Sequence, residues 1–164
     1  MCNRSLRSSV LALAGILIAI GGCSESPSSS VPRQFLSRGS QARFDVAGSS
    51  AAVIGASGGT LVTPAGDRIV FPAGALSQPT RVAITSSDTY VGVQLEPHGL
   101  IFPAGRQPVL VLNTEGSNAG AFRTLDVSYV DETGSVAEVL PASAGAGTLV
   151  TVLPHFSGFI ASGH

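Results

Sequence analysis

Thr124-Leu125-Asp126-Val127-Ser128-Tyr129-Val130, followed at once by Asp131-Glu132-Thr133-Gly134, is the stretch that decides the fold. Apolar and polar side chains alternate along the first seven residues, which is the period of a strand with one face toward a core. The next four supply turn chemistry, and residues 136–140 resume a β-like run, so the pair reads as a hairpin with one solvated face. Outward from this hairpin the pattern recurs. Residues 60–63, 67–71, 81–85, 92–95, 108–113, 149–153 and 156–161 are short β-like runs broken by Gly, Pro, Asp and Ser. Beyond Phe44 no ten-residue stretch has a helical period, and the reading is therefore all-β, a single β-sandwich domain over 44–164.

Composition supports this and removes several chemistries. The 164 residues include 20 Gly and 10 Pro, and only 12% are charged, about half the usual share of roughly 25%. Such a chain is too apolar to be disordered throughout and too rich in helix breakers to be a helical bundle. All nine basic residues are Arg, so Walker-type phosphate binding and Schiff-base catalysis have no Lys to use. A net charge of -1 gives no electrostatic footprint for nucleic acid, which is excluded as the default partner. No metal or disulfide staple is needed for a core of Val, Leu, Ile and Phe in a domain of this size.

The N-terminus carries a different signal. Arg4 and Arg7 precede an apolar run over residues 10–20, and Gly21-Gly22-Cys23 closes it. This is the layout of an export signal, 1–22, and its apolar run falls short of the roughly 20 residues a spanning helix needs. Ile20-Gly21-Gly22-Cys23 resembles the lipobox of bacterial lipoproteins. The resemblance implies a diacylglyceryl thioether on Cys23, cleavage before it and acylation of the freed amine, which hold the protein to a membrane at about 0.8 kcal/mol per buried methylene. Ser24 after the acceptor implies the outer membrane in a host with two membranes, and the cell surface in a host with one. Cys2 leaves with the signal, so the mature chain has no second Cys for a disulfide. Residues 23–43 then read as the lipidated Cys and a Ser- and Pro-rich flexible tether with a reach of roughly 25 Å. Arg33, Arg38 and Arg43 are scattered charge on that linker, within reach of anionic headgroups.

Phe-Pro-Ala-Gly occurs twice, at residues 71–74 and 102–105. Flanking residues do not match, so shared strand-to-turn chemistry explains the repeat better than duplication does.

Gly58-Gly59-Thr60-Leu61, Ile69-Val70-Phe71-Pro72-Ala73-Gly74-Ala75-Leu76, Leu95-Glu96-Pro97-His98-Gly99-Leu100-Ile101-Phe102, Pro108-Val109 and His155-Phe156-Ser157-Gly158-Phe159 follow one another in an order that resembles a known family. It is similar to the ZU-five domain of zonula occludens proteins, Unc-five netrin receptors and ankyrins, which also has bacterial relatives on exported proteins. The resemblance implies a β-sandwich used for protein-protein contact, with no cofactor and an unidentified protein partner. In some relatives the chain cuts itself within a His-Phe-Ser triplet, and His155-Phe156-Ser157 matches it. Ser157 Oγ would attack the Phe156 carbonyl, a base such as His155 would take the proton, and water would hydrolyse the ester. Here the triplet lies close to the C-terminus with no second module behind it, and the plain reading of Phe156 and Phe159 is as core side chains.

Other chemistry is thin. Gly55-Ala56-Ser57-Gly58-Gly59 has the letters of a nucleophile elbow, but that turn needs a helix after it and a strand follows here. His98, His155 and His164 lack metal-ligand spacing, and Pro97-His98-Gly99 reads as a turn in which His98 bonds local backbone. Asp131-Glu132 belongs to a hairpin turn. A glycan-binding accessory domain is an alternative, weakened by two Tyr and no Trp to stack on sugar rings. The function expected is therefore non-enzymatic: a lipid-anchored envelope protein for protein-protein interaction or envelope organisation.

Overall fold

The computed structural model describes residues 32–39, 48–131 and 133–164. The strands are β1 (Gln34–Phe35), β2 (Ser49–Ile54), β3 (Gly59–Val62), β4 (Arg68–Phe71), β5 (Thr80–Ser86), β6 (Gly92–Glu96), β7 (Val109–Asn113), β8 (Leu125–Val130), β9 (Val136–Pro141), β10 (Ser143–Gly145), β11 (Thr148–Val152) and β12 (Gly158–Gly163). They form two antiparallel sheets packed face to face. The first runs β2-β5-β6-β12-β8-β9 with β1 added to β12, and the second runs β10-β11-β7-β4-β3. Hairpins β3/β4, β5/β6, β8/β9 and β10/β11 each stay within one sheet, while the connections between them cross the core. The fold is the expected all-β sandwich.

Inward positions alternate as the sequence requires: Ile69 and Phe71 on β4, Leu110 and Leu112 on β7, Val82 and Ile84 on β5, Val93 and Leu95 on β6. Phe71, Phe102 and Phe156 meet at one end of this core, with ring centroids 6.2, 5.8 and 5.1 Å apart. The two Phe-Pro-Ala-Gly segments therefore deliver their Phe rings to the same partner. Each segment ends in the same turn, closed by Ala75 N–H to Pro72 O at 3.1 Å and by Arg106 N–H to Pro103 O at 3.0 Å. Gly74 and Gly105 occupy the third turn position at φ 78° and 74°, where a Cβ is strained. The Arg106 guanidinium donates to the Ala73 carbonyl and ties the two turns together.

The β8/β9 hairpin forms as predicted, with a register irregularity between Tyr129 and Val130. Its polar face is less solvated than the alternation implies. Ser128 is fully buried, and its hydroxyl pairs with that of Ser162 on β12 at 2.8 Å. β2 and β10 have no counterpart among the expected runs, because Ser49-Ser50-Ala51-Ala52 and Ser143-Ala144-Gly145 lack the β-branched and aromatic residues that mark a strand.

Part of the expected tether also belongs to the sandwich, and the domain begins before residue 44. Gln34 and Phe35 pair with Gly163 and Ser162. Leu36 is fully buried, donating to Ala161 O at 2.8 Å and accepting from Val91 N–H at 2.9 Å. The physical reason is that Phe35 and Leu36 supply an apolar side chain on each face, enough to add a short strand to an edge left open on β12. The export signal, Cys23 and Arg43 lie outside the described residues. Among the described residues no helix is long and apolar enough to cross a membrane.

Candidate functional site

The connection from β11 to β12 crosses between the sheets and carries His155, Phe156 and Ser157. Phe156 has to point into the core for the chain to cross, and it does so against Phe71 and Phe102. Its peptide groups are held on the segment after β6: Phe156 N–H donates to Leu100 O at 2.9 Å, and the Phe156 carbonyl accepts from Gly99 N–H at 3.0 Å. Ser157 O in turn accepts from Leu95 N–H at 3.1 Å.

A cavity of about 520 Å³ opens beside this crossing, lined among others by Gln94, His98, Tyr129, His155 and Ser157. The histidine reads as a chemical group only through its partners. His155 Nε2 lies 3.2 Å from Glu138 Oε2, and its ring packs against Tyr129 and Phe159 with centroids 5.0 and 5.6 Å away. His155 is thus committed to a carboxylate on β9 and not to the hydroxyl of Ser157. The Gly99 N–H on the Phe156 carbonyl has the placement of an oxyanion donor, while neither Phe156 nor Ser157 adopts a positive φ. Of the acyl-shift machinery, the triplet and one carbonyl donor are assembled, and the base is aimed elsewhere.

His98 differs from its expected role. Its Nε2 lies 2.7 Å from the Gln94 side-chain amide, so its partner is a side chain of β6 and not local backbone. The turn does place His98 at the same cavity as Ser157, a convergence no spacing in the chain announces. Phe159 is fully buried, and the half-buried Tyr129 and His155 rings beside it stand edge to face at 76°.

The second polar cluster was not anticipated at all. Asp67, fully buried, accepts from Arg38 Nη2 at 2.5 Å, from Ser86 Oγ at 2.6 Å and from Asn113 N–H at 2.8 Å. Ser86 Oγ also meets Thr63 Oγ1 at 2.8 Å. Arg38 further donates to the carbonyls of Ser87 and Tyr90. Burial pushes the Asp67 carboxyl above its ordinary range, and Arg38 first, then Ser86 and Asn113, pull it back. Among the described residues no buried side-chain nitrogen or oxygen is left without a hydrogen-bond partner, which is the pattern of a structural joint. Its only sequence sign is an Asp in a Gly-Asp-Arg turn, and turns commonly hold Asp.

Gly55 and Gly58 pair across the turn from β2 to β3, so the elbow-like letters close a strand-to-strand turn. A Cβ on Gly58 would lie 2.2 Å from Phe71 O. Among the described residues no three His, Cys, Asp or Glu side chains converge to hold a metal ion. No protein-family model matches the chain, and no curated protein matches it either.

Proposed function

We propose that the protein is a lipid-anchored envelope protein whose ZU-five-like sandwich binds a protein partner without catalysing a reaction. The observation that supports binding is the outer face of the second sheet. Outward positions on an exposed sheet ordinarily alternate to polar residues, yet this face carries Val62, Val70, Val109, Val111, Val150 and Val152. Cross-strand register sets them in two rows, Thr60-Val70-Val109-Val152 and Val62-Arg68-Val111-Val150. Val62, Val70 and Val152 are exposed, Val109 and Val150 are half-buried and Val111 is buried, and Arg68 is the one charge in either row. A contiguous apolar face of this kind is what a protein surface keeps for a partner.

Lipid anchoring rests on Ile20-Gly21-Gly22-Cys23. Docking of β1 shortens the linker to Ser24 through Arg33. A chain of about ten residues extends no more than about 35 Å, so an acylated Cys23 keeps the domain close to the headgroups.

The experiment compares wild type with Val70→Glu and Val152→Glu in pull-downs from detergent-solubilised envelope, after intact-mass spectrometry of the bait. The reading expects acyl mass on a chain that starts at Cys23, and one partner enriched by wild type and lost by both face variants. A bait without acyl mass ends the anchoring half. Equal capture by all three proteins, or none by any alongside measurable hydrolase activity, ends the binding half.

A further inference from the structure

We propose that β2 is the edge through which two copies of this chain pair, antiparallel about a two-fold axis at Ala51, so that their first sheets become one continuous sheet. β2 ends the first sheet, and among the described residues nothing pairs with its outer side. Ser86 N–H donates to Gly48 O at 3.1 Å, which makes Gly48 and Ser86 a hydrogen-bonded pair. Antiparallel pairs alternate, so Ser50, Ala52 and Ile54 turn their backbone groups toward β5, while those of Ser49, Ala51 and Val53 point out to the free side.

Edges of this length are usually blocked, and the other edges here are. β9 carries Glu138 and Pro141 and sits beside the irregularity at Tyr129 and Val130. β3 has four residues and β10 three. β2 has six, with no charge, no Pro and no bulge. Among the described residues it carries none of the devices that keep a sheet edge from being paired.

A second copy is the occupant this edge suits. Pairing about Ala51 sets Ala51 against Ala51, Ser49 against Val53 and Ser50 against Ala52, so neither like charges nor bulky side chains meet. A foreign peptide added to an edge draws its specificity from pockets for alternate side chains, and Ser49 and Ala51 are too small to frame one. Self-pairing needs no pocket, and the two-fold closes the contact after two copies.

The test is sedimentation of the full chain in detergent over a concentration series, with Ala51→Lys, Ala51→Glu and their equimolar mixture. The expected result is a reversible wild-type dimer, weakened about tenfold or more in each single variant and restored as a heterodimer in the mixture. At concentrations low enough for wild type to be monomeric, melting temperatures are expected to match the wild-type value, because the Ala51 side chain is exposed. A wild-type monomer throughout the series overturns the proposal. So does a dimer indifferent to both charges, or a mixture that stays as weak as its components.

Discussion

Arg38 and Asp67 form a buried ion pair that fastens the N-terminal segment to the end of the sandwich where the two sheets meet, with side chains 7% and 0% exposed. The carboxylate reaches Ser86 on the first sheet and Asn113 on the second, so one Asp and one Arg hold three parts of the chain together.

Arg38→Met is expected to lose about 3–5 kcal/mol at neutral pH, the range for removing one partner of a buried pair. The loss should shrink in acid. Asp67 sits above its ordinary value when folded, so its contribution is complete below about pH 4 and declines as pH rises through the folded value. Without Arg38 that value rises further, and the unpaired carboxylate weighs most at pH 7. Urea denaturation at pH 4 and pH 7 checks this, and equal deficits at the two would contradict it.

Asp131 behaves in the opposite sense. The Thr133 hydroxyl first, and then the Ser135 N–H, hold its carboxyl below the usual range. Its contribution is therefore present above about pH 4 and disappears as pH falls through the lowered folded value. Asp131→Ala should lower the melting temperature near neutrality, and the two melting curves should converge in strong acid. Curves that run parallel across the whole range would remove this account of the β8/β9 turn.

Gly105→Ala and Gly74→Ala separate backbone strain from steric contact. Both positions have positive φ, but a Cβ meets nothing within 4 Å at Gly105 and lies 2.5 Å from the Arg106 guanidinium at Gly74. Gly105→Ala is expected to cost about 1–2 kcal/mol from the left-handed conformation alone. Gly74→Ala should cost more, since it also displaces the Arg106 bond to Ala73. A calorimetric ranking in the reverse order would show that the two turns are not tied as described.

The bond between Phe156 and Ser157 is expected to stay whole, because His155 faces Glu138. Denaturing intact-mass spectrometry should give a chain ending at His164. A chain ending at Phe156, made whole again by Ser157→Ala, would establish self-cleavage and give His155 and Ser157 a catalytic role.

Strand alternation was legible in the chain because each residue's side is fixed by local geometry. Runs such as 124–130 and 149–153 declare themselves through their own side chains, and so do the Gly and Pro turns that end them. The fully apolar Val109-Leu110-Val111-Leu112 announced a strand but not which face would stay open, since both faces read alike. Weak formers such as Ser49-Ser50-Ala51-Ala52 become strands only because β5 offers them a ladder, and no local preference reports that. The Arg38 and Asp67 pair, the meeting of three Phe rings, and the cavity that His98 and Ser157 both line each bring together residues from separate turns of the chain. Local propensity falls silent on such pairs. Packing decides them, because a group buried away from water must find its partner wherever the fold brings one.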